Sequence, residues 1–216
     1  MPIYFTDNLG LFCIAFGATL VLTLIMGLQS RHFYTKDVIV RKFSIMDLEL
    51  AATATEIVNI VKGLYQLPDP RQSQAAVRAL KGQLYIDFLY MPAVYGSIFL
   101  LCAHVSAKMT TILGQDLFIA LAWLQLVSWL CDIIENIYLL GKIRPDPIRS
   151  APAVHSAYLC MEAVKWGLAL TAAVSALSTE CYFWLSGYYS PRSLDYLLII
   201  VAEVLVFGAI RKFSSL

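Results

Sequence analysis

Five separate stretches of this chain are long enough and apolar enough to cross a bilayer, which takes about 20 residues as a helix. They lie near residues 9–29, 85–105, 116–140, 155–177 and 194–211. Inside lipid, backbone N–H and C=O groups find no water, so a spanning segment must satisfy them itself as a helix or in a closed barrel. Runs of this length fit helices and are too long for barrel strands. The expected fold is therefore all-α: a polytopic transmembrane helix bundle. The fifth run, SLDYLLIIVAEVLVFGAI, is the shortest, and a four-span bundle with this segment at the interface is the alternative.

The composition agrees. The chain is 59% hydrophobic and 14% charged, against about 45–50% and 25% for soluble domains. Its formal net charge is +1. No basic patch with interleaved aromatic residues is present, which argues against a nucleic-acid partner; the bilayer itself is the expected one. The start, MPIYFTDNLG, lacks the basic stretch and small-residue cleavage site of a signal peptide, so the first run is read as a retained span.

Basic residues set the expected orientation, because they are enriched in cytoplasmic loops. Residues 30–84 hold eight lysines and arginines, 106–115 hold one, 141–154 three, 178–193 one, and the tail two. The alternation places the N-terminus outside and the C-terminus in the cytoplasm, with a bacterial inner membrane as the expected location.

The expected cytoplasmic segment, 30–84, is the largest part outside the membrane. Within it, TATEIVNIVKGL (53–64) reads as an amphipathic helix. Thr53 and Glu56 have the spacing of a capping box, in which each side chain satisfies a free backbone N–H of the other. Ile57, Ile60, Val61 and Leu64 fall on one face, which packs on the bundle, rests on the inner leaflet or docks a partner. Two prolines in LPDPRQS then break the helix, and from about Ser73 a new helix runs directly into the second span.

The stretch WLCDIIENIYLLGK (129–142) places Asp132, Glu135 and Asn136 within the third span. At the helical rise of 1.5 Å per residue, Asp87, Glu135, Glu162 and Glu203 lie roughly 9–14 Å inside the basic ends of their spans. Four helices thus place carboxylates at a similar depth. Asp132, Glu135 and Asn136 form one stripe at i, i+3, i+4. His155, Glu162 and Lys165 form another, with Lys165 the single cation among five acids. A charged group at the bilayer centre costs about 2.5–3.5 kcal/mol on insertion scales. The acids are therefore expected to face inward and line an acidic pocket in the cytoplasmic half of the bundle.

Candidate ligand-binding residues are Asp87, Tyr95, Asp132, Glu135, Asn136, Glu162 and Lys165. Three functional readings follow. The leading one is a non-enzymatic binding or transport role for a proton, a cation or a cationic or amphipathic small molecule. The second is a metal-assisted hydrolase acting on lipid. Asp87, Asp132, Glu135, His155 and Glu162 would then offer hard oxygen ligands and one imidazole to a divalent ion. No HExxH or paired-histidine motif supports it, so no cofactor is assigned. The third is a scaffold whose acids are interhelical hydrogen-bonding groups, with residues 44–65 docking a small-molecule or protein partner.

The stretches MDLELAATATEIVNIVKGL, LYIDFLYMPAVYGSIFLL and WLCDIIENIYLL resemble a group of small bacterial integral membrane proteins. The group shares a leucine–glutamate–alanine stretch after the first span, an aspartate–phenylalanine opening of the second, and an aspartate–x–x–glutamate–asparagine motif in the third. Here these are Glu49 and Ala51, Asp87 and Phe88 with Tyr95 further along, then Asp132, Glu135 and Asn136. The likeness covers roughly residues 10–140 and carries no activity. It implies that these residues matter, without implying their chemistry.

Overall fold

The computed structural model describes the backbone of residues 9–189 and 191–214. Among these residues are seven helices and one short hairpin: α1 (Leu9–Ser30), β1 (Tyr34–Lys36), β2 (Val40–Lys42), α2 (Met46–Glu49), α3 (Ala54–Tyr65), α4 (Pro70–Lys108), α5 (Ile112–Lys142), α6 (Pro152–Leu185) and α7 (Pro191–Ser214). Five helices, α1, α4, α5, α6 and α7, are long and apolar enough to cross a membrane. The fifth apolar run is thus helical along its whole length. Leu198, Leu205 and Val206 on α7 are more than half exposed, as expected of side chains that lipid rather than protein covers.

The chain divides into two compact units. One comprises the chain up to Leu24, Tyr90–Trp129 and Lys165 onward; the other comprises Ile25–Leu89 and Leu130–Val164. They are called the first and second unit below.

In the first unit the core is built from Phe12, Leu101, Cys102, Val105, Phe118, Ala122, Ala172 and Ala176. Cys102, Ala122, Ala172 and Ala176 have no exposed surface. Small residues let helix backbones approach closely where lipid supplies no hydrophobic drive. Here the Cys102 thiol reaches the Ala172 carbonyl at 3.8 Å. All five cysteines are free thiols.

The second unit contains the sequence-read amphipathic helix. Glu56 N–H donates to Thr53 Oγ1 at 3.3 Å and Thr53 N–H donates to Glu56 Oε2 at 3.4 Å, so the capping box forms as the spacing predicts. Ile57, Ile60, Val61 and Leu64 are all buried, packed with Leu80, Leu84, Leu139 and Tyr158. The apolar face of α3 is covered by the unit's own core. The next helix starts earlier than Ser73, at Pro70. Proline is well placed in a first helical turn because its missing N–H would have no intrahelical partner there. Asp69 Oδ1 accepts the Arg71 N–H at 2.9 Å. Pro92 lies inside α4, which continues through it.

The hairpin β1–β2 is antiparallel, with Thr35 opposite Arg41. Phe33 and Thr35 are buried at alternate positions. Phe33 stacks on Phe43 at 5.2 Å between ring centroids, and the Thr35 hydroxyl donates to the Ile60 carbonyl at 2.8 Å. These contacts fix the hairpin against α3.

Candidate functional site

Three elements of the second unit bring carboxylates together. The stripe on α5 supplies Glu135, α6 supplies Glu162, and the last residue of α2 supplies Glu49. One carboxylate oxygen from each lies within 4.8 Å of the other two. Glu135 and Glu162 are each 1% exposed, and Glu49 is half-buried.

Each side chain has an identifiable support. Glu49 belongs to a helix of only four residues, too short to be placed by its own propensity. Leu48 beside it is buried in the core, and its carbonyl accepts the Tyr158 hydroxyl at 3.5 Å. Tyr158 thereby ties α2 to α6 one turn before Glu162. Its ring packs on Tyr138 at 4.8 Å. On α5, Asn136 is fixed by two hydrogen bonds: its amide donates to Asp87 Oδ2 at 2.7 Å and to the Leu84 carbonyl at 3.3 Å. The fixed Asn136 sets the rotation of α5 and so the direction of Glu135 one residue before it. Asp132, one turn earlier on the same stripe, is also buried.

His155 lies next to this group. Its ring stacks on Tyr158, with centroids 6.1 Å apart and planes at 19°. It is 6% exposed, and neither ring nitrogen has a hydrogen-bond partner among the described residues. A buried imidazole with two unsatisfied nitrogens is uncommon, because buried polar groups are almost always paired.

The electrostatics constrain what the trio can hold. Two ionised carboxylates at 4.8 Å repel by about 3 kcal/mol at an effective dielectric near 20, and three make three such pairs. That cost is comparable to the whole stability of many domains, roughly 5–15 kcal/mol. Such a group is stabilised by positive charge at or beside it, whether from a cation, from protons or from a neighbouring side chain. The spacing suits a cation. Oxygens that close can share one ion at the 2.3–2.6 Å typical of Ca²⁺.

The structure distributes the sequence-derived candidates unevenly. Glu135 and Glu162 converge; Asp87 and Asn136 pair beside them; Asp132 and His155 belong to the same unit. Tyr95 and Lys165 belong to the first unit. Tyr95 is buried there, and the Lys165 ammonium sits over the Trp166 ring at 5.4 Å. Glu203 also belongs to the first unit, where its carboxylate rests on the bare face of Gly17: a Cβ there would be 2.8 Å from Oε1. His104, too, lies in the first unit, 3.7 Å from a Glu180 carboxylate that Lys108 and Trp184 also contact. Glu49 entered the sequence reading only through the resemblance. No depth count could place it beside two spanning helices, because it lies outside them. The one legible signal was an acid directly after buried Leu48.

No protein-family model matches the chain, and no curated protein or solved structure matches it either.

Proposed function

We propose that this integral membrane protein binds a hard divalent cation at Glu49, Glu135 and Glu162, in a binding role rather than a catalytic one. The convergence of one carboxylate oxygen from each residue within 4.8 Å carries the reading. Two observations support it. The imidazole of His155, buried and stacked on Tyr158 in the same unit, has no hydrogen-bond partner for either nitrogen among the described residues. The Asn136–Asp87 hydrogen bond holds the α5 stripe in a fixed rotation, as second-layer groups do for metal ligands. Carboxylate oxygen donors favour Mn²⁺, Mg²⁺ or Ca²⁺ over softer ions. In the orientation that the basic residues favour, N-terminus outside and C-terminus in the cytoplasm, the site lies toward the cytoplasmic ends of α5 and α6.

The test is an equilibrium titration of the full chain in detergent with Mn²⁺, following free ion by its electron paramagnetic resonance signal. One ion per chain is expected to be withdrawn from solution, and Glu135→Gln/Glu162→Gln is expected to withdraw none. Equal binding by wild type and the double variant would remove the site from these residues.

A further inference from the structure

A second site, chemically opposite to the first, lies on the N-terminal part of α4. A cavity of about 570 Å³ opens there in the second unit, lined by Tyr65, Ser73, Gln74, Arg78, Lys81 and Tyr85 among others. That volume is within the range of small-ligand pockets, roughly 300–1,000 Å³. Arg78, Lys81 and Tyr85 stand at i, i+3 and i+7, which puts them on one face of the helix. No carboxylate lines the cavity. Neither Arg78 nor Lys81 makes an ion pair among the described residues. Two cations beside one cavity without a counter-charge are an anion site in waiting.

The register on α4 says where this site sits. The apolar stretch of the helix starts near Tyr85. Arg78 and Lys81 precede it by four to seven residues, about 6–10 Å along the helix. The headgroup layer on each side of the hydrocarbon core is about 5–8 Å thick. The two cations therefore lie at headgroup depth, with exposed Tyr85 at the hydrocarbon boundary, where tyrosine is enriched. Burial pushes the Tyr65 phenol up from its ordinary value, so it remains a hydroxyl donor across the physiological range.

We infer that this groove binds the phosphate of an anionic lipid headgroup, held by Arg78 and Lys81 with the lipid's chains leaving past Tyr85. A basic residue near an anionic surface contributes about fivefold in affinity, so the pair gives roughly 25-fold. The inference is independent of the cation site, since it uses none of the same residues.

Native mass spectrometry of the full chain in detergent tests it, with phosphatidylglycerol and phosphatidylcholine of matched acyl chains as probes. Phosphatidylglycerol is expected to be retained at about 25-fold lower concentration. Arg78→Gln/Lys81→Gln should bring the two lipids within about twofold, and Arg78→Gln alone, at an exposed position, should lose about fivefold of the preference. Arg211→Gln/Lys212→Gln, at another helix end, should leave it intact. Equal retention of the two lipids by wild type would overturn the inference. So would a preference that survives the Arg78/Lys81 variant or falls with the Arg211/Lys212 one. Displacement of the lipid by inorganic phosphate at equal concentration would also overturn it, showing a site for small free anions.

Discussion

Saturating Mn²⁺ is expected to raise the thermal unfolding midpoint of the wild-type protein by roughly 5–10 °C and to leave Glu135→Gln/Glu162→Gln unmoved. A ligand at 100 times its dissociation constant stabilises the folded state by about 2.7 kcal/mol, and a chain of this length gains roughly 2–4 °C per kcal/mol. The metal-free comparison has the opposite sign. Without a cation, Glu49, Glu135 and Glu162 hold three acidic groups within 4.8 Å of one another. Glutamine keeps the size of each side chain and removes its charge. The metal-free double variant should therefore unfold at a higher temperature than the metal-free wild type, as replacing buried charge often stabilises. The two curves cross when metal is added. If the acids only glued helices together, the double variant would be the less stable protein under both conditions.

The second large effect is at Gly63. This residue lies within α3, where replacing glycine by alanine ordinarily stabilises a helix by about 0.8–1.0 kcal/mol. Here the sign should reverse. A Cβ at Gly63 would run into Thr35 Oγ1 and the Lys36 carbonyl oxygen, and would come within 2.8 Å of the Lys36 nitrogen. Backbone atoms of a paired strand cannot step aside as the tip of a side chain can. The hairpin must lift from α3, and the buried Thr35–Ile60 hydrogen bond is lost with it. Overpacking costs about 1–3 kcal/mol, and a lost buried hydrogen bond about 0.5–1.5. Less the propensity gain, Gly63→Ala should destabilise by about 0.5–3.5 kcal/mol. Gly167→Ala, where a Cβ would meet nothing within 4 Å, should be neutral or stabilising. Chemical denaturation of both variants decides it: a stabilised Gly63→Ala would mean that the hairpin does not rest on α3.

Much of the fold was legible because the bilayer and local hydrogen bonding leave few choices. The five apolar runs could only be helices, and the Thr53–Glu56 spacing could only cap one. The face Ile57, Ile60, Val61 and Leu64 was legible too, since four apolar residues at helical spacing must be covered by something. The hairpin was not. Its strands are three residues each, and Val38–Ile39 stand at its turn, where the familiar turn signal is Asn-Gly or Asp-Gly. What selects it is tertiary: buried Phe33 and Thr35 against α3.

The site was half legible for a related reason. Counting residues from a helix end gives depth, and depth alone brought Glu135 and Glu162 to one level. It says little about rotation about the helix axis, and nothing about a residue outside the spans. Lys165, read as the cation one turn above Glu162, is buried with its ammonium over the Trp166 ring. Glu203, at similar depth, rests on Gly17. Glu49 reaches the acids because Tyr158 and the burial of Leu48 dock α2, a long-range event that no spacing rule encodes.

The most direct measurement is elemental analysis of the full chain, purified from membranes without chelator, beside Glu49→Gln/Glu135→Gln/Glu162→Gln prepared in parallel. The cation site predicts close to one divalent ion per wild-type chain and none in the triple variant. An equal metal content in the two proteins, or none in the wild type even after dialysis against Mn²⁺, Mg²⁺ and Ca²⁺, would contradict it.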